Sequence, residues 1–184
     1  MSSASGDAYK TSIIECRNHL RQFALNGQAE ASYIIVRETG EKLDFQVGTH
    51  ESVTPNWNSL EKLEVGQRVT VIHVHFADVG PGPEDWDALA LHPQIGACEI
   101  VCPNAIFVLQ KPEPWPFQVH MKPGFSIMGG AWDRIMHQVR QEISFLDEKF
   151  PSPQVADIAR IEETNDRFLR SIFARGFTAR KLAN

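Results

Sequence analysis

Arg68-Val69-Thr70-Val71-Ile72-His73-Val74-His75-Phe76 is the stretch on which the reading of this chain turns. Its apolar, β-branched run predicts a strand buried on both faces. Residues two apart in a strand point to the same face, so His73 and His75 project together. Two buried imidazoles side by side are costly unless something uses them, and a shared metal ion is the usual use. Asp85 follows ten residues after His75, in Pro81-Gly82-Pro83-Glu84-Asp85-Trp86. Two histidines and an aspartate supply three N/O ligands and leave a fourth zinc position open, as catalytic zinc sites do.

Upstream of that strand, Tyr33-Ile34-Ile35-Val36 marks a buried strand over Ala31 to Arg37. Glu38-Thr39-Gly40-Glu41 reads as a hairpin turn. Lys42 to Gly48, with Leu43, Phe45 and Val47 alternating, reads as the return strand with one face buried and one wet. Thr54 to Glu64 is polar and turn-rich. Before these, Ile13, Cys16, Leu20 and Phe23 fall at helical spacing and predict a helix over Thr11 to Leu25, stopped by Asn26-Gly27. Residues 1–10 read as a flexible start.

Downstream, residues 77–83 hold two glycines and two prolines and predict a loop. Gly82 suits an N-cap and Pro83 the first position of a helix, which places Asp85 in the first turn, where a carboxylate is favoured. Trp86, Leu89 and Ala90 give this helix an apolar face, and His92-Pro93 ends it. Glu99 to Leu109 predicts a further strand region with a turn at Pro103-Asn104. Residues 113–130 form a proline-rich connector. Residues 131–184 read as a helical C-terminal extension, with stripes on Trp132, Ile135, Met136, Val139 and Ile143 and then on Ile158, Ile161, Phe168, Leu169, Ile172 and Phe173. The class expected is α/β.

The bulk composition excludes some functions. Eighteen Lys and Arg against 23 Asp and Glu give a net charge of −5, which argues against non-specific nucleic-acid binding. Cys16, Cys98 and Cys102 are an odd number, so no disulfide framework is implied and a reducing cytosol is expected. Cys98 and Cys102 read as small core residues. No apolar run reaches the roughly 20 residues that span a bilayer, and no signal peptide is visible. A soluble, cytoplasmic protein is expected.

Together these pieces resemble the JAMM zinc metalloproteases, also called the JAB or MPN family, over about residues 10 to 112. The family pattern is a Glu opening a strand, then His-x-His-Pro, then Ser-x-x-Asp at a helix start. Glu30 opens the strand Ala31 to Val36, His73-Val74-His75 matches the His-x-His, and Pro81-Gly82-Pro83-Glu84-Asp85 matches the segment that carries the Asp. The following Ile100 to Leu109 is similar to the family's next hairpin. Phe76 stands where the family has Pro, and Gly82 where it has Ser.

The resemblance implies a mixed, curved sheet flanked by helices, with a metalloprotease domain over residues 11–112. It implies Zn²⁺ held by His73, His75 and Asp85, with Asp87 an alternative third ligand and Asp78 a more distant one. Glu30 would be the catalytic acid–base that moves the proton of the attacking water. The substrate class implied is a ubiquitin-like protein joined to a lysine or carried as a precursor. Gly82 lacks the hydroxyl that helps hold the oxyanion in the family, which implies a slow enzyme or, alternatively, a catalytically inactive binding subunit of a protein complex. A zinc hydrolase acting on a small molecule is a third reading.

His92, His120 and His137 are isolated in sequence and read as surface or core residues, while His50, in Thr49-His50-Glu51, sits in a loop able to line a cleft with nothing in the sequence to tie it there. Arg170, Arg175, Arg180 and Lys181 give the last segment a local basic bias, read as a solvated helix end. The C-terminal helices are also the expected contact for a partner protein or a homodimer.

Overall fold

The computed structural model describes residues 3–78, 81, 85–86, 88–89, 92–111, 176 and 178–183. The chain divides into two compact units, Met1–Lys111 with Ala179–Asn184, and Pro112–Thr178. The connector 113–130, the helices expected over 131–146 and 155–175, Gly82 and Asp87 lie outside the described residues.

The described elements are α1 (Ser3–Asn26), β1 (Ala31–Val36), β2 (Lys42–Val47), a 3-10 turn (Trp57–Lys62), β3 (Val69–Val74), β4 (Ile95–Val101), β5 (Ala105–Gln110) and β6 (Thr178–Ala183). The strands form one sheet in the order β2-β1-β3-β4-β5-β6. Its pairing is mixed: β1 runs antiparallel to β2 and β3, β3 parallel to β4, and β4 antiparallel to β5. The class is α/β, with a mixed six-stranded sheet.

The register sorts the side chains onto two faces, because cross-strand partners share a face. Ser32 pairs with His73 and Ile34 with Val71, and across the parallel step Val71 pairs with Cys98. These residues therefore look out from one side of the sheet. The other side carries Ala31, Ile35, Ile72, Val74 and Val101, which form one buried cluster with Ile13, Cys16, Leu20 and Ala24 of α1. The helical stripe of α1 is thus spent on one face of the sheet, and the histidines emerge on the opposite face.

Four expectations are corrected. The helix begins at Ser3, not at Thr11, so residues 3–10, expected as a flexible start, are helical. No apolar stripe announces this part; Tyr9, packed against the buried cluster, ties it down, and polar contacts at and just past it add to the hold. Tyr9 shares a hydrogen bond with Thr70 Oγ1 at 2.7 Å, and the Ser12 hydroxyl donates to the Gly40 carbonyl at 2.7 Å. Gly40 itself has φ 77°, and a Cβ there would stand 2.7 Å from the backbone of Ala8, so the hairpin turn can lie against α1 only with glycine. At the other end, Gly27 takes φ 61° and its N–H bonds to the Phe23 carbonyl, a left-handed helix stop.

Next, β2 has no fully buried residue; it is an edge strand with half-buried and exposed positions only. Then β4 starts at Ile95, four residues before the expected Glu99, because Gly96 and Ala97 carry too little side chain to signal a strand. Finally, residues 178–183 are a strand, not the end of a helix. Sheet pairing next to β5, with Lys181 Nζ 5.5 Å from the centre of the Phe107 ring, prevails over the basic helical pattern read from sequence.

Candidate metal centre

His73 is the fifth residue of β3, and His75 lies just past the strand's end. The His75 N–H still donates to the Val101 carbonyl at 3.0 Å, so the extended alternation continues through it and both rings leave the sheet on the same side. Asp85 comes from the crossover between β3 and β4. It sits in helical conformation with Trp86, Ala88 and Leu89; Trp86 and Leu89 are fully buried, which fixes the turn that carries the carboxylate.

The three side chains meet. His73 Nε2 is 3.3 Å from His75 Nε2 and 2.8 Å from Asp85 Oδ1, and His75 Nε2 is 3.8 Å from the same oxygen. Ligands about 2.0–2.1 Å from a zinc at tetrahedral angles stand about 3.4 Å apart. The three separations bracket that value, so the group can hold a metal ion with little movement. Among the described residues this is the one such group of His, Cys, Asp and Glu. His75 Nδ1 is buried and meets no hydrogen-bond partner among the described residues.

Charge within the cluster drives the two histidines apart in pKa. Burial alone would lower the His73 pKa, but the Asp85 hydrogen bond and charge, with a smaller part from Cys98, carry it well above the ordinary value. Burial and the neighbouring His73 push His75 down.

The cluster lines a cavity of about 530 Å³ shared with Glu30, Trp57 and Cys98. Glu30 precedes β1, yet its N–H bonds to the Thr49 carbonyl at 2.7 Å and its carbonyl accepts from Gly48 at 2.8 Å. The β1–β2 ladder thus runs on through Glu30, which falls in step with Ser32 on the histidine side. Its pKa is raised, first by burial and then by Asp85, against the opposing pull of His73, a hydrogen bond from the Val53 N–H and the charge of His50. A carboxylate shifted toward neutrality is suited to moving protons.

Three residues that the sequence did not place at the site belong to this neighbourhood. Cys98 Sγ lies 3.8 Å from His73 Nδ1. The His50 ring packs on Phe76, with centroids 4.9 Å apart. The His92 ring stacks on Trp57 at 4.4 Å, bracing one wall of the cavity. Only the i,i+2 partnership of Cys98 with Ile100 on a strand beside His73 could have flagged the first; nothing local flags the other two. Asp78, the distant choice for a ligand, is engaged elsewhere: its carboxylate accepts from the Asn104 N–H and side-chain amide at 2.9 and 2.7 Å, pinning the β4–β5 turn.

Comparison with protein-family models, curated proteins and solved structures returned no match.

Proposed function

We propose that this chain is a zinc-dependent peptidase or isopeptidase of JAMM type. The observation that carries the reading is the meeting of His73, His75 and Asp85 at near-tetrahedral separations in one cavity with Glu30. His73, His75 and Asp85 would hold the ion and leave one position facing the cavity. Bound there, zinc would supply Lewis acidity toward a carbonyl and toward water.

The chain's own residues do the rest. Glu30, held on the extended β1 ladder, takes the proton of the attacking water and returns it to the leaving amine. The neighbouring wall of Val53, Pro55 and Trp57 offers an apolar surface to a substrate. The resemblance of Glu30, His-x-His and Asp85 to the JAMM pattern suggests a ubiquitin-like protein, conjugated to lysine or carried as a precursor, as the substrate. Three free cysteines, all buried, suit a reducing cytoplasm. No helix among the described residues is long and apolar enough to cross a membrane.

Gly82 in place of the family's serine favours one alternative, a metal-holding but catalytically weak subunit that binds ubiquitin-like proteins. The loss of one oxyanion donor costs about 2.7–4 kcal/mol in the barrier.

The deciding experiment is metal content of the purified chain beside His73→Ala/His75→Ala, followed by cleavage assays on ubiquitin-like fusions with Glu30→Gln as control. About one zinc per chain, absent from the double variant, is expected. No zinc in the wild type after reconstitution would sink the reading; zinc without cleavage would select the binding subunit.

A further inference from the structure

We infer that Cys98 is a positioning residue for His73, setting which ring nitrogen faces the metal. The inference rests on the zinc reading above. A metal-binding imidazole must present one bare nitrogen and keep its proton on the other, and a partner at that second nitrogen fixes the choice and the ring angle. In this chain Nε2 of His73 points to His75 and Asp85, and Nδ1 points to Cys98 Sγ at 3.8 Å. The thiol arrives there by topology: the parallel β3–β4 register pairs Cys98 with Val71, two residues before His73 on the same face.

The two histidines are not equivalent. His75 Nδ1 is buried with no hydrogen-bond partner among the described residues, so His73 is the ring with a fixed orientation. A thiol also suits both states of the site. Without a metal, His73 protonated beside Asp85 donates its Nδ1–H to the sulfur. With a metal on Nε2, the proton resides on Nδ1 and the sulfur accepts it. A hydroxyl can do the same; an alkyl group cannot. Cys98 is buried at 1 % exposure and lies beside the cluster rather than within it, so it acts through His73 and not as a ligand.

The test is Zn²⁺ affinity of the full chain, measured by competition with a chromophoric chelator, for wild type, Cys98→Ser, Cys98→Ala and Cys98→Val. Valine fills the thiol's volume without a polar atom. The metal-free melting temperature of each variant is taken alongside. Loss of an outer partner of a ligating histidine weakens metal binding about 10–100-fold, so the alanine and valine variants should both fall in that range. Serine should stay within about threefold of wild type, whatever its melting temperature. Equal affinity in all four would overturn the inference and leave the zinc site standing. Serine as weak as alanine, or valine as tight as wild type, would also overturn it, because packing alone would then account for the residue. A wild type that binds no zinc would overturn the metal site and this inference together.

Discussion

The ammonium nitrogen of Lys111 lies 2.8 Å from the carbonyl oxygen of His92, and it also donates to the carbonyls of Leu89 and Pro93 at 3.3 and 3.2 Å. These carbonyls close the crossover segment whose helical part holds Asp85, and Lys111 is almost fully buried beneath them. A cation at such a terminus is favoured by the exposed carbonyl ends, and here it joins the Ile95 N–H, which also donates to the His92 carbonyl at 3.0 Å. Lys111→Met should therefore lower unfolding stability by about 1–3 kcal/mol, the cost of a buried group left unsatisfied. It should weaken zinc binding as well, since Asp85 loses its fixed support. Urea unfolding and a zinc titration on the same variant check both; unchanged stability would remove Lys111 from the architecture of the site.

Glu30→Gln separates metal binding from chemistry. The amide keeps the shape of the side chain and cannot take a proton from water. Zinc content should match wild type, while hydrolysis of any ubiquitin-like fusion that the wild type cleaves should fall about 10²–10⁴-fold. Retained turnover would assign the base elsewhere.

Metal uptake should release a proton from His73. Despite burial, which acts against it, the Asp85 carboxylate holds His73 protonated to a pH well above its ordinary range. A ligating nitrogen must be bare, so zinc and proton compete and zinc affinity must fall as pH falls. At pH 7, calorimetric zinc titrations in buffers of different ionisation enthalpy should give heats that vary with the buffer, with about one proton released per ion. Heats that do not depend on the buffer would mean that the ring is already bare.

On the far side of the sheet, Arg17 grips Glu99 through two hydrogen bonds of 2.7 and 2.8 Å, with the Glu99 side chain only 6 % exposed. Arg17→Met would strip that buried carboxylate of both hydrogen bonds, at a cost of about 3–5 kcal/mol. Arg17→Met/Glu99→Met should recover most of the loss. Thermal melts of the two variants decide it: a double variant no better than the single one would trace the loss to α1 packing.

The three cysteines should resist modification in the folded state. Burial pushes the Cys16 thiol up to about 11 and Cys102 up to about 12, and raises Cys98 too. The reactive thiolate is then scarce at pH 8. A disulfide reagent at that pH should label none of them quickly in the native chain and all three after denaturation. Rapid native labelling would show an opening that the fold does not predict.

What the sequence announces in this protein is what has a period. The β-branched run into His73 and His75, the stripe on α1 and the hairpin at Gly40 all carry their signal in consecutive residues. So does the spacing that sets Asp85 against the histidines. Pairing between distant segments carries no such signal. Cys98 reaches His73 through a parallel register, His50 reaches Phe76 from the far side of a turn, and residues 178–183 join a sheet begun more than a hundred positions earlier. The start of α1 was hidden for a related reason: a single aromatic, Tyr9, and hydroxyl bonds from Tyr9 to Thr70 and from Ser12 to the Gly40 turn tie it down, with no periodic stripe.

The crossover from β3 to β4 gives the site an order of assembly. His73, His75 and Asp85 all lie on that one connection and the strand feeding it, so only a short loop has to close before they meet. Glu30 arrives from a remote part of the chain and reaches the cavity only once β1 has paired with β3. If the three side chains hold an ion, its capture can precede completion of the sheet, and Glu30 joins last. On the zinc-peptidase reading, a nascent chain that had found its metal would still lack the group that moves the proton.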